Sequence, residues 1–255
     1  MTRVVFRPAQ YAFWVVGCLA ALIVMLPSCK KTDPPVKNLN IRFSPVWNGS
    51  PITLNTNNTG PDNRRFRFSK MKMYLSHIRF VAADGTETEV RDIAFLNLAN
   101  PSTLQLSLNG LSGTYTGMKF GLGLDSAQST IDPTTVGADS PLNPDNGMWW
   151  SNVEQYVFAE VEGQCDTIVP MPAGVIWNFL YHPGTQACYR TVTITQTFNF
   201  SGDGKNEVTV AADFQKIFYA NNAIQITSEP TTSTTDKPAL AVKFANQMQQ
   251  IFSVL

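Results

Sequence analysis

The sequence contains very little histidine, since His77 and His182 are the two imidazoles in 255 residues. It also lacks the GxSxG, HExxH, Walker and GxGxxG motifs of several large enzyme classes. We therefore expect a protein that is not an enzyme. A hydrolase with paired carboxylates stays open, because the 19 acidic side chains offer many spatial pairs. Any site built on imidazole must use His77, His182 or both.

Long apolar runs are scarce, and the clear one spans Ala12 to Leu26. It is shorter than the roughly 18–20 residues that a transmembrane helix needs. Arg3 and Arg7 precede it and Leu-Pro-Ser-Cys ends it, a pattern that resembles a bacterial lipoprotein signal. An ordinary signal peptide followed by a chance cysteine is the alternative.

We accordingly expect residues 1–28 to be a signal peptide and Cys29 to be acylated. Residues 29–38, which include Pro34 and Pro35, read as a solvated tether. Lipid chains on Cys29 would attach the protein to a membrane. The expected location is the bacterial cell envelope, at the outer membrane on its periplasmic or surface face.

Cysteine is also rare, with four residues in the chain. Cys18 lies in the expected signal peptide and Cys29 is the expected lipid site. In an exported protein the two others, Cys165 and Cys188, most simply form a disulfide. Such a bond would close a loop of about two dozen residues and contribute roughly 3 kcal/mol on the chain-entropy model. Metal ligation by these cysteines is the alternative, although neither belongs to a CxxC pair.

Charge of neither sign predominates, since the sequence contains 19 basic and 19 acidic side chains. Removing residues 1–28 deletes two arginines and leaves a slight acidic excess. Nucleic-acid binding depends on clustered Lys and Arg that neutralise phosphates. We therefore expect no nucleic-acid partner.

The remaining sequence is a series of strand-length runs in which apolar and polar residues alternate. Asn48-Gly49, Asp84-Gly85 and Asp203-Gly204 indicate tight turns between them. The threonine-rich stretch 227–238 reads as a loop. Strands separated by turn residues favour two packed sheets over a parallel α/β sheet.

At the C-terminus the spacing changes to that of a helix. The apolar residues on one helical face would be Leu240, Phe244, Met248, Ile251 and Phe252. The sequence thus predicts one all-β domain over residues 39–255, an antiparallel β-sandwich with one C-terminal amphipathic helix.

Two adjacent tryptophans, Trp149 and Trp150, precede one of the predicted strands. These tryptophans could pack the core, form part of a ligand-binding surface or be a chemically modified pair. His182 stands at a predicted strand end before Pro183, where functional side chains are often displayed. Met71, Met73 and His77 share one side of a predicted strand. Met73 and His77 would lie roughly 13 Å apart there, too far to share an ion, so both methionines are predicted to be core.

Five segments together resemble the MbnP-like family of exported copper-binding proteins, in particular its lipoprotein members in the Bacteroidota. They read FRFSKMKMYLSHIRFVAADG, YTGMKFGLGLD, GMWWSNVEQYVFAEVEG, FLYHPG and ALAVKFANQMQQIFSVL. The resemblance runs from about Leu39 to Leu255. Family members usually carry asparagine or aspartate at the position that holds His77 here.

The resemblance implies an all-β exported domain that handles copper. It also implies copper held by histidines beside an oxidised tryptophan, which a partner di-haem peroxidase forms. The residues that would build such a copper site are His77, His182, Met148, Trp149 and Trp150. Asp125 or Asp145 would then fix the imidazole tautomers. The competing hypothesis is a surface module that binds glycans or proteins without metal, with Trp47 or Trp177 as exposed aromatic residues.

Overall fold

The computed structural model describes residues 37–152, 155–168, 176–202, 205–233 and 235–255. The expected signal peptide, Cys29, most of the tether and the turn at Asp203-Gly204 lie outside the described residues. Within the described part of the chain, no helix is long and apolar enough to cross a membrane.

Strands account for most of the regular structure, which confirms the prediction of a mostly β fold. They are β1 (Lys37–Trp47), β2 (Ser50–Pro51), β3 (Asn58–Thr59), β4 (Arg65–Val81), β5 (Glu87–Asn97), β6 (Gln105–Asn109), β7 (Gly113–Leu122), β8 (Trp149–Ser151), β9 (Gln155–Tyr156), β10 (Ala159–Asp166), β11 (Ile176–His182), β12 (Arg190–Phe200), β13 (Asn206–Asp213), β14 (Thr231–Ser233) and β15 (Phe252–Val254). Short 3-10 turns connect several of them, including Pro144–Asn146 before β8.

The strands form one five-stranded sheet, one eight-stranded sheet and a small pair. The first sheet runs β15-β13-β1-β2, with β6 also paired to β1. The second runs β12-β7-β4-β10-β11-β14, with β3 and β5 also paired to β4. The small pair is β8 and β9.

Most neighbouring strands are antiparallel, but two pairs correct the prediction of a wholly antiparallel fold. β1 runs parallel to β13, and β11 runs parallel to β14. The threonine-rich stretch therefore contains a short strand, Thr231–Ser233, where a loop was expected. Its backbone pairs with β11 next to His182.

The two large sheets share one hydrophobic core. Inward residues of β1, such as Phe43, belong to the same cluster of buried side chains as Phe120 of β7. Their rings meet edge to face with centroids 6.1 Å apart. Met71 and Met73 are also buried in this cluster, so their prediction as core residues is confirmed. Trp47 is buried beside Phe66, so it is not an exposed aromatic residue for glycan binding.

The expected C-terminal helix is present as α2 (Pro238–Gln249), with Leu240, Phe244 and Met248 buried. Two details differ from the prediction. A short helix, α1 (Gln215–Tyr219), follows β13. The helix also ends before Phe252, which lies in β15 and pairs with β13, because the sheet edge provides backbone partners there.

The predicted disulfide is wrong in this structure, because Cys165 and Cys188 are both free and buried. Cys165 belongs to the main core cluster. Cys188 belongs to a second cluster that also contains Tyr74 and Met148. Each thiol packs as a small apolar side chain within its own cluster.

Candidate functional site

The two histidines lie in different groups of possible metal ligands. We call Glu160, Glu162 and His182 the His182 cluster, and His77, Glu89, Asp92 and Asp125 the His77 cluster. Each contains three ligand atoms within 4.8 Å of one another. Among the described residues, no such group contains both imidazoles. The structure therefore places the two histidines at two sites and does not combine them at one.

His182 is the last residue of β11, next to Tyr181 in the core. Tyr181 pairs with Val161 of β10, which fixes where the end of β11 lies on the sheet. The chain then turns at Pro183, whose carbonyl accepts a hydrogen bond from the Phe158 amide at 2.7 Å. The imidazole is consequently held on a paired strand end, and the His182 side chain is 11% exposed.

The carboxylates of the His182 cluster come from alternate positions of β10. Val161, between them, faces the core, so Glu160 and Glu162 share the other face of the sheet. Glu162 Oε1 lies 2.9 Å from His182 Nε2. Glu162 also lines an open groove of about 340 Å³, which gives solvent access beside the cluster.

Two lysines from β4 neutralise these carboxylates. The register of the sheet pairs Glu160 with Lys72 and Glu162 with Lys70. Lys70 Nζ lies 2.8 Å from Glu162 Oε1, and Lys72 Nζ lies 3.3 Å from Glu160 Oε2. Burial alone would raise the pKa of Glu162, but Lys70 and His182 together hold this pKa below its usual value.

Glu160 is the most buried charged group in this cluster, at 4% exposure. Its Oε2 atom makes no well-directed hydrogen bond, although the Lys72 and Lys70 ammonium groups lie at 3.3 and 3.7 Å. These ion pairs provide charge balance but leave hydrogen-bonding capacity unused. A buried carboxylate oxygen in this condition is costly unless another cation or donor approaches it.

The Trp149-Trp150 pair divides between two roles. The Trp150 ring meets His182 edge to face with centroids 4.9 Å apart, and its side chain is 36% exposed. Trp149 instead packs on Tyr156 with ring centroids 4.7 Å apart. Met148 is fully buried in the second core cluster, together with Tyr156. The structure thus brings Trp150 to His182 and places Trp149 and Met148 in packing.

His77 lies in the middle of β4, with an unusual left-handed backbone at φ 48°. The pairing of β4 with β7 shifts register between Ser76 and Arg79, which marks a bulge at this point. Left-handed backbone is several-fold enriched for Asn, Asp and His. Histidine is therefore one of the residue types that this backbone conformation accommodates most readily.

Three carboxylates surround the His77 ring. Nε2 lies 2.8 Å from Asp125 Oδ2, and Nδ1 lies 2.9 Å from Glu89 Oε2 and 3.7 Å from Asp92 Oδ1. Burial would lower the pKa of His77, but the hydrogen bonds to Asp125 and Glu89 outweigh it and raise this pKa above its usual value. The prediction that Asp125 sits beside an imidazole agrees with this contact, whereas Asp145 lies in the turn before β8.

Sequence reasoning missed the acidic partners of both histidines. A sequence signal for Glu160 and Glu162 did exist. The acids alternate with apolar residues in AEVEG, and lysines alternate with methionines in SKMKM. Pairing those two stretches requires the register of β4 and β10, which alternation alone does not supply. Glu89 and Asp92 carried no local signal, because they approach His77 only through the pairing of β5 with β4.

Comparisons with known proteins agree with this architecture. The family model described as MbnP matches residues 36–236. Among solved structures, the chain is similar to MbnP from Methylosinus trichosporium, at 16% identity and a TM-score of 0.56. That match covers 87% of this chain and 98% of the other and shows a shared fold. No curated protein sequence matches. Because the family model covers most of its length, the chain belongs to the MbnP family.

Proposed function

We propose that this MbnP-family protein binds copper at the His182 cluster. The observation that carries the proposal is the 2.9 Å approach of His182 Nε2 to Glu162 Oε1, with the buried Glu160 carboxylate in the same group of ligand atoms. A solvent-accessible groove lies alongside. Imidazole is the commonest side-chain ligand of transition metals, and it suits copper well.

The ligand atoms of this cluster fit Cu(II) better than Cu(I). One imidazole nitrogen and two carboxylate oxygens are the ligand types that Cu(II) accepts, whereas Cu(I) prefers thiolate and thioether sulfur. Met148 is buried in the second core cluster and serves packing there. His182, Glu160 and Glu162 would hold the ion, and Lys70 would have to move away from Glu162.

Trp150 is the tryptophan that we assign to this site, since its ring covers one side of His182. By family resemblance, it is the residue that a partner di-haem peroxidase would oxidise. Its partial exposure would allow such a partner to reach it. Trp149, packed on Tyr156, is the matched residue that should remain unmodified. Mass spectrometry of peptides from protein purified from its native host would test this assignment.

A copper titration tests the binding site itself. In the His77→Asn background, where the His77 cluster has lost its imidazole, the purified protein should bind one equivalent of Cu(II) that the further change His182→Ala abolishes. Glu162→Gln should weaken the same equivalent by at least about tenfold, because a charged ligand is lost. Equal copper affinity with and without His182→Ala in that background would contradict the assignment, provided that both variants show the wild-type melting temperature.

We further propose that the protein is exported, anchored to the cell envelope by lipid on Cys29, and that it binds metal without catalysing a reaction. The domain arrangement that we infer is a two-sheet sandwich, supported by the core shared between the sheets. Mass spectrometry of the mature N-terminus, compared with Cys29→Ala, tests the anchor. Fractionation of membranes with surface proteolysis would identify the membrane face.

A second function, glycan binding, rests on one observation. Trp177 is 41% exposed, and the nearby groove is lined by the polar side chains Asn55, Arg67, Gln164 and Asn178. Indole faces stack on sugars, while planar polar groups hydrogen-bond hydroxyls. Binding of soluble oligosaccharides that Trp177→Ala abolishes and His182→Ala preserves would favour this function over copper.

A further inference from the structure

We propose that the His77 cluster is a second metal site, suited to Zn²⁺ and independent of the His182 cluster. Its ligands would be His77 Nδ1 and the carboxylates of Glu89 and Asp92. Asp125 would act behind the imidazole as a positioning residue. The proposal does not depend on copper binding at His182.

The first argument is charge compensation. Elsewhere in the described part of the chain, every ion-paired carboxylate has a lysine or arginine partner. These pairs are Asp62 with Arg64, Glu87 with Arg79 and Lys119, Glu160 with Lys70 and Lys72, Glu162 with Lys70, Asp166 with Arg65, and Glu229 with Lys243. Among the described residues, Glu89, Asp92 and Asp125 are ion-paired with His77 alone. Three negative charges thus converge on one imidazole, which leaves a cation deficit.

The second argument is a count of protons. Carboxylates accept hydrogen bonds, and a neutral imidazole carries one N–H donor. Both ring nitrogens of His77 nevertheless lie within 2.9 Å of a carboxylate oxygen. In one of these two contacts, a nitrogen lone pair would therefore point at a carboxylate lone pair unless a positive ion lies between them. That ion is either a second proton on the ring or a metal bound to Nδ1.

The contacts assign different roles to the two nitrogens. Nε2 meets a single carboxylate, Asp125, which is the arrangement in which a metal-bound histidine donates its other N–H to a carboxylate. Nδ1 faces the two carboxylates of Glu89 and Asp92. A metal at Nδ1 would therefore gain one nitrogen and two oxygen ligands while the proton stays on Nε2.

Distances between these ligand atoms suit a tetrahedral ion. Zinc bonds of about 2.0–2.1 Å imply separations of about 3.4 Å between neighbouring ligand atoms. The distances from Nδ1 to Glu89 Oε2 and Asp92 Oδ1, 2.9 and 3.7 Å, lie on either side of that value. Small rotations of two exposed side chains would equalise them. Ca²⁺ and Mg²⁺ prefer sets made entirely of oxygen, so they fit this mixed set less well.

A buried glutamine holds the acidic groups in place. Gln128, 6% exposed, donates from Nε2 to Asp92 Oδ1 at 2.6 Å and from its amide to Asp125 Oδ1 at 2.7 Å. One residue, through its side-chain Nε2 and its backbone N–H, therefore connects a proposed ligand with the group behind the imidazole. Glu89 and Asp92 are 44% and 65% exposed, so solvent can supply the fourth ligand.

Zinc titration by calorimetry in the His182→Ala background tests the site, because the other cluster is disabled there. We expect one equivalent of Zn²⁺ to bind. His77→Asn should weaken it by at least about tenfold, and asparagine accepts the left-handed backbone at this position. Asp92→Asn should weaken it as strongly, and because the Asp92 side chain is exposed, this variant should keep the melting temperature of the background protein. Asp125→Asn should weaken it about 10–100-fold, as other residues behind metal ligands do.

Glu87→Gln is the matched control, since Glu87 lies on the same strand but pairs with Arg79 and Lys119. It should leave zinc affinity unchanged. The proposal is overturned if the His182→Ala protein binds no zinc, with NMR showing His77 as a doubly protonated ring. It is equally overturned if His77→Asn and Asp92→Asn bind zinc as tightly as the background protein. Loss of copper in His182→Ala with zinc retained would support two separate sites.

Discussion

Gly163 gives the most direct test of how β10 is built into the sheet. A Cβ atom there would lie 2.3 Å from the Arg67 carbonyl oxygen, 2.5 Å from Phe179 Cζ and 3.0 Å from Phe68 Cα. Two of these atoms are backbone and cannot rotate away. Overpacking typically costs 1–3 kcal/mol and more where backbone must shift, so Gly163→Ala should lower the free energy of unfolding by about 3 kcal/mol.

For a domain of this size, each kcal/mol lowers the melting temperature by about 2–4 °C, so we expect a fall of about 6–12 °C. Circular dichroism on heating measures it. The control is Gly137→Ala, since no atom lies within 4 Å of a Cβ there, and it should change stability by less than about 0.5 kcal/mol. Similar melting temperatures for the two variants would refute the close approach of β10 to β4. Because Glu162 adjoins Gly163, the same shift should also weaken copper binding.

Three further outcomes follow from the core and its ion pairs. Hydrogen bonds from Arg65 lower the pKa of Asp166, so the stability that they contribute is complete above about pH 4 and is lost as the pH falls. Asp166→Asn should therefore lower the free energy of unfolding by about 1–2 kcal/mol at pH 7, measured by urea unfolding. The same variant should lose less stability in acid than the wild type does. Phe244→Ala should lower the free energy of unfolding by about 3–5 kcal/mol, because this buried ring stacks on Tyr181 with ring centroids 4.5 Å apart. A decrease below about 1 kcal/mol would contradict that packing. Burial raises the pKa of Cys165 to about 11 and also raises that of Cys188, so peptide mapping should find both alkylated only after unfolding, and a disulfide-linked peptide would contradict the structure.

Local sequence patterns were enough to predict the strands and the C-terminal helix. Alternation of apolar residues defined β1, and Asn48-Gly49 marked its turn, where both residues have positive φ. The parallel pairing of β1 with β13 was not predictable in this way, because it joins residues more than 150 positions apart. A period of two identifies a strand but not its neighbour.

The same limit explains the outcome for the candidate site residues. His182 and Trp150 are in contact, which agrees with the site that the family resemblance implied. The predicted disulfide between Cys165 and Cys188 was wrong because the two cysteines were paired by elimination. Their positions in different core clusters could not be read from the sequence. His77 was assigned to copper with His182 because the chain has two imidazoles, and composition cannot tell one site from two.

The two clusters differ chiefly in what already balances their charge. At the His182 cluster, the register of β4 against β10 places Lys70 and Lys72 opposite the two glutamates, so an incoming metal ion must compete with fixed ammonium groups. At the His77 cluster the acids come from β5 and from Asp125 beyond β7, and no lysine or arginine among the described residues is ion-paired with them. Coulomb attraction should therefore favour a hard or borderline divalent ion at His77. Binding at His182 should depend more on the affinity of imidazole for copper, which follows ligand type more than net charge. Under the two proposals, one β fold would hold two metals of different character, and neither histidine would serve both.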